Sequence, residues 1–195
     1  AIDDPSLWKV IPPVESYGHG REGGKRGRRT GFLWGEYLED VKIIGDWGTV
    51  DGNGWRWWND KWGAGKSQFD GFTLPHLLEL RHSRSIEVSN LHLVNSPFWT
   101  VHPFACKGVT IRNVEIVAPE QVVNTDGIDP DSCEDVLIED VVYSGGDDAV
   151  AIKSGWDCFG DERGFNRPTR NVVIRNLTVR TTGIAAAIAI GSEMS

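Results

Sequence analysis

The sequence predicts an all-β fold, a right-handed parallel β-helix. Three observations predict it. One apolar pattern with a turn residue at its centre occurs four times. A second set of short apolar segments lies between these copies and aligns with itself. No stretch carries a helical period long enough to specify a helix.

Residues 1–39 are expected to be loop-rich. Pro12-Pro13 and the Gly-, Arg- and Lys-rich stretch 18–31 have no period. The basic run Lys25, Arg26, Arg28, Arg29 suits a solvated loop, with contact to a polyanion as the other use. Residues 40–195 are expected to form the coils. A weak copy of the repeat, Val41-Lys42-Ile43-Ile44-Gly45, comes first. The tryptophans Trp47, Trp55, Trp57, Trp58 and Trp62 follow, as packing at the start of the domain or as platforms for sugar rings.

The strong copies are Ile86 to Leu93, Val109 to Ile116, Val136 to Tyr143 and Val172 to Val179. Each reads apolar-x-apolar-x-Asn/Asp-apolar-x-apolar. Alternation at period two specifies a strand. The central Asn90, Asn113, Asp140 or Asn176 turns the chain, because Asn and Asp tolerate the left-handed region and bond their own backbone. The copies start 23, 27 and 36 residues apart. Strands at such intervals bury their apolar face by stacking on the next coil. A β-sandwich would need antiparallel hairpins, and no two-residue Asn-Gly or Asp-Gly turn joins these strands.

The second column aligns Val101, Ile128, Val150 and Ile188. Two residues earlier stand Trp99, Asp126, Asp148 and Ala186. Asp126 and Asp148 then lie on adjacent strands, about 4.8 Å apart at the backbone, with Asp147 alongside. In a regular strand, Asp147 and Asp148 would point to opposite faces, so a bulge or bend near Gly145-Gly146, matched near Gly127, is predicted. Carboxylates that close push at least one pKa upward, which supplies an acid and a base for glycosidic cleavage. Lys153, at the end of the same strand, could neutralise an acidic sugar or pair with a neighbouring Asp. His102 shares a column with Asp129 and could line a subsite or be a satisfied strand histidine.

Composition bounds the rest. A chain of 195 residues with 39% hydrophobic and 25% charged residues is a folded domain or part of one. A net charge of −8 argues against a nucleic-acid partner. No apolar run approaches a membrane span, and no signal peptide is present. Cys106, Cys133 and Cys158 are too few for a disulfide framework, leaving one bridge and a thiol, or three thiols.

Asn124-Thr125-Asp126-Gly127 and Gly146-Asp147-Asp148 resemble the N-T-D and D-D motifs of the polygalacturonase family, at that family's spacing. Trp99 to Pro103 and Ile190 to Ser195 resemble its plant and bacterial branch, which includes exo-acting members. The resemblance runs from about Asp40 to the end. It implies the pectin-lyase-like solenoid and an inverting hydrolase acting on α-1,4-linked galacturonan of pectin. Asp147 would be the general acid, and Asp126 and Asp148 would hold and activate the water. Asn124, Lys153 and His102 would touch substrate. The acid and base carboxyls are then expected about 6.5–9.5 Å apart. No cofactor, resident metal or membrane partner is implied, and the protein is expected to be a secreted, cell-wall monomer. Two departures stand out. Ala185-Ala186-Ala187 replaces the family's Gly-His-Gly, and the chain stops before the Arg-x-Lys clamp, so its C-terminal coils are expected to be missing. Two other functions fit: a pectate-lyase-like enzyme with a metal among Asp126, Asp129, Asp131, Asp147 and Asp148, or a catalytically impaired carbohydrate-binding relative.

Overall fold

A computed structural model describes residues 7–18, 27–62, 72–181 and 185–191, with no side-chain description for 59–62. The long repeats form one five-stranded parallel sheet. Its members are β4 (Glu39–Asp51), β6 (Arg84–Val94), β8 (Lys107–Val117), β9 (Glu134–Ser144) and β11 (Arg170–Arg180). The antiparallel pair β1 (Val10–Ile11) and β2 (Arg28–Arg29) precedes them. The register stacks Val41, Ile86, Val109, Val136 and Val172 in one file. Val50, Leu93, Ile116, Tyr143 and Val179 form a second file.

The central Asn or Asp explains how both files face inward. Asn90, Asn113, Asp140 and Asn176 all have φ between 51° and 56°. Each drops out of the ladder: partners run Ser89↔Arg112 and then Leu91↔Val114. The left-handed residue turns the chain and resets the alternation, so Ile86 and Val88 point inward, and so do Leu91 and Leu93. The Asn176 side-chain amide donates to Asp140 Oδ1 at 3.0 Å, continuing the stack outside the core. In β4 the turn is made by Asp46 and Trp47 together, with a register shift between Ile44 and Gly48. This wider corner is why the first copy reads weakly in sequence. Gly45 is required there, since a Cβ would collide with the Leu91 side chain.

The second column is the other wall. It comprises β3 (Leu33–Glu36), β5 (Leu78–Arg81) and β7 (Val101–Phe104), continued by single bridges Val101↔Ile128↔Val150 and Phe104↔Asp131↔Lys153. The parallel pair β10 (Ala151–Ile152) and β12 (Ala189–Ile190) completes it. The wall starts at Leu33, inside the segment expected to be loop, because its strands are only four residues long and leave little periodicity to read. Leu78, Val101, Ile128 and Val150 fill the core between the walls. The alternate positions Glu79, His102, Asp129 and Lys153 leave on the opposite face, yet all four are buried. A second apolar cluster covers that face: Trp8, Val14, Tyr17, Trp57, Phe98 and Trp99, with Trp156 and Phe165 packed against it.

Two helices break the all-strand expectation, α1 (Gly54–Trp62) and the single turn α2 (Asp157–Gly160). Trp57 and Trp58 are buried in α1, whereas Trp55 is 54% exposed. Packing, not periodicity, fixes this helix: Trp57 meets Trp8 edge-on at 5.3 Å and Trp58 Nε1 donates to Pro97 O at 3.1 Å. The side chain of Trp62 lies outside the described residues. Cys106 and Cys133 stack in adjacent coils as buried thiols, and Cys158 is half-buried and free.

Candidate active site

The second column brings Asp126 and Asp148 together. Gly127 N donates to Asp148 O at 2.9 Å, and Ala149 N donates to Ala186 O at 2.9 Å. Three successive coils therefore stack at Asp126, Asp148 and Ala186, the register read from the sequence. Asp147 joins them because β9 ends at Ser144 and the chain bends over Gly145 to Asp147. Gly146 permits that bend, since a Cβ would overlap the carbonyl of Glu120. One carboxylate oxygen from each of Asp126, Asp147 and Asp148 lies within 4.8 Å of the others. Asp147 and Asp148 are half-buried, whereas Asp126 is buried.

Each carboxylate is held. Asp147 Oδ2 accepts from Asn124 N at 2.5 Å and Oδ1 from Asp148 N at 2.9 Å. Asp147 N donates to Tyr143 Oη at 3.2 Å, and that hydroxyl donates to Thr125 O at 3.3 Å. Tyr143 occupies the core file where other coils carry Leu93 or Ile116, so its phenol ties the core to the site. Burial drives its phenol well above the ordinary range. Asp148 Oδ1 accepts from Ala186 N at 2.9 Å, where the family's histidine is absent. Asp126 is buried. Desolvation raises its carboxyl, the Lys153 ammonium lowers it, Asp147 raises it again, and a hydrogen bond from Asp129 lowers it, leaving it at about 6.

Two residues named for substrate contact are buried. Of the two uses read for Lys153, an acidic sugar or a neighbouring Asp, the structure shows the second, and the side chain is 1% exposed. Its Nζ lies 3.5 Å from Asp126 Oδ2, 3.4 Å from Asp129 Oδ1 and 4.0 Å from the centre of the Trp99 ring. The outward position that suggested a surface cation is roofed by the second apolar cluster. Of the two uses read for His102, a subsite residue or a satisfied strand histidine, the structure shows the second. It is fully buried, with Nε2 3.4 Å from Asp131 Oδ2 and Nδ1 3.6 Å from Glu79 Oε1. Burial opposes its charge, but hydrogen bonds to Asp131 and Glu79 prevail and bring it up to about 9. Glu79 is also desolvated, yet the Arg28 guanidinium at 2.5 Å and His102 hold its carboxyl below the usual range. Asn124, half-buried at φ 59°, acts on Asp147 through its backbone N–H.

The sequence missed the chain Arg28–Glu79–His102–Asp131. Its signal was the row of polar residues at outward positions of an otherwise apolar column. Among the described residues, two groups bring three potential ligand side chains within 4.8 Å of one another, Asp126 with Asp147 and Asp148, and His76 with Glu79 and His102. A cation already stands against each, Lys153 on Asp126 and Arg28 on Glu79. Asp131 faces His102 and receives the Ser132 hydroxyl at 3.0 Å, so the five-carboxylate cluster weighed from sequence is divided.

The fold and the site define a class: parallel β-helices that gather carboxylates from successive coils, as glycoside hydrolases of this architecture do. The chain belongs to glycosyl hydrolases family 28, whose model matches residues 23–193. A grape (Vitis vinifera) protein named "Probable polygalacturonase" is 47% identical over all 195 residues. A maize (Zea mays) exopolygalacturonase is 32% identical over 123 residues, 63% of this chain and 30% of its own length. The hyperthermoactive exopolygalacturonase of Thermotoga maritima superposes on 99% of the chain with a TM-score of 0.78 at 26% identity. The chain spans 38% of the grape protein and 48% of the Thermotoga maritima enzyme.

Proposed function

We propose that the protein containing this chain hydrolyses α-1,4-galacturonosyl linkages of pectin or polygalacturonate with inversion. The observation that carries this reading is the meeting of Asp126, Asp147 and Asp148 from adjacent coils in a family 28 chain. Asp147 is the general acid. Asn124 N and Asp148 N hold its carboxyl in direction, and it is half-buried, which leaves it within reach of a leaving oxygen. Asp126 and Asp148 hold the attacking water, Asp126 as its base, and Asn124 orients the acid. The relatives named above carry polygalacturonase or exopolygalacturonase names, which supports the pectic substrate. A cell-wall, extracellular site of action by a monomer is proposed with it.

The test is release of reducing ends from de-esterified polygalacturonate, with the first-formed anomer read by proton NMR. Inversion of the α-linkage gives the β-anomer first. Asp147→Asn should lower kcat by about 10²- to 10⁴-fold. First formation of the α-anomer would indicate retention and overturn the inverting assignment. A second reading, a binding relative with impaired catalysis, is favoured by Ala186 beside Asp148 in place of a histidine. Binding of oligogalacturonate with no reducing ends released would select it.

A further inference from the structure

Lys153 and Asp129 are charged groups that the proposed mechanism does not use, yet both are sealed against Asp126. Lys153 is wedged between the Trp99 ring and two carboxyls. Asp129 is fully buried, and neither of its oxygens accepts a hydrogen bond from a donor among the described residues. Asp126 Oδ1 is in the same position. Two ionised carboxylates facing one ammonium would leave a net negative charge out of contact with water, which is costly. One carboxyl therefore keeps a proton. Asp129 is the more enclosed, and burial and the charge of Asp126 push it well above the ordinary carboxyl range. A neutral carboxyl has one O–H to donate, and Asp126 is the carboxylate that shares the Lys153 ammonium with it, at 3.5 Å against 3.4 Å for Asp129.

We propose that Asp129 and Lys153 are positioning residues for Asp126: a neutral Asp129 donates its O–H to the Asp126 carboxylate while the Lys153 ammonium faces both, so that Asp126 stays ionised and fixed in direction. Desolvation and the neighbouring Asp147 work against that ionisation. Asp148 and the neutral phenol of Tyr143 complete the set around the site. The convergence of both carboxyls on Lys153 stands on geometry, and its catalytic meaning rests on Asp126 being the base proposed above.

The test follows the Asp126 carboxyl by ¹³C NMR titration, with the resonance assigned through Asp126→Asn. In Lys153→Met its midpoint should rise from about 6 by roughly 1–3 units, the usual effect of losing a close opposite charge. Asp129→Ala removes the donor and should also raise it. Asp129→Asn keeps an N–H donor and should hold the midpoint near that of the unaltered protein. Folded Lys153→Met and Asp129→Ala proteins with an unmoved midpoint would overturn the proposal. If Lys153→Met does not fold, equal midpoints in Asp129→Ala and Asp129→Asn would overturn it. The acid limb of kcat/KM on polygalacturonate should move with the NMR midpoint. Displaced midpoints in a protein with no activity in any form would sink the hydrolase reading and leave the pairing in place.

Discussion

Asp126 and His102 are buried groups whose displaced pKa values make predictions about pH. Asp126 must be ionised to act as a base. With its carboxyl at about 6, kcat/KM should fall as pH drops through that value. An acid limb centred near 4 would show that Asp126 titrates as an exposed carboxyl. His102 works through stability. Its folded pKa, about 9, lies above its ordinary 6.5, so the imidazolium's contribution is full below 6.5 and is lost as pH rises through 9. The melting temperature should decline over that window, and His102→Gln should flatten the decline. A profile as steep in His102→Gln as in the unaltered protein would assign the pH dependence to other groups.

At the scale of the element, the corner is the device that makes a coil. Asn113 holds φ 51° between two inward-facing halves of β8. A β-branched residue is disfavoured there, so Asn113→Val should cost about 1–2 kcal/mol, while Asn113→Gly should be close to neutral. Urea unfolding would measure both, and equal losses would mean that the Asn side chain matters more than its backbone. These corners were legible in the sequence because the left-handed region selects Asn and Asp. Helix α1 was not. Its nine residues, Gly54–Trp62, set Trp55, Trp58 and Trp62 at helical spacing, but the run is too short to be told from a loop by period. The buried Trp57 lies off that stripe and is placed by Trp8, a contact across 49 positions of chain. Nor was β3, whose four residues are too few to show alternation.

At the scale of the whole molecule, each coil is supported by its neighbours. Ile111 lies fully buried between Val88 and Ile138 in the stack. Ile111→Ala should cost about 2–5 kcal/mol. Amide exchange should quicken in β6 and β9, which flank it, more than in β3, because coils interact with nearest neighbours. Uniform acceleration would indicate one indivisible unit. The sequence by itself determined the period, the corners, the two strand files and the register that sets Asp126 against Asp148. All of these rest on local preference and on stacking of like positions, which one chain records in its repeats. Only the tertiary structure decided what covers the outward face of the second column. The segment 7–18 and Trp57 of α1 turn that face into an interior, so Lys153 and His102, polar by position, became buried partners of Asp126 and Asp131. Such a covering joins segments distant in sequence and carries no period. Its effect on charge comes from exclusion of water, a property of the assembled surface and not of any residue in it.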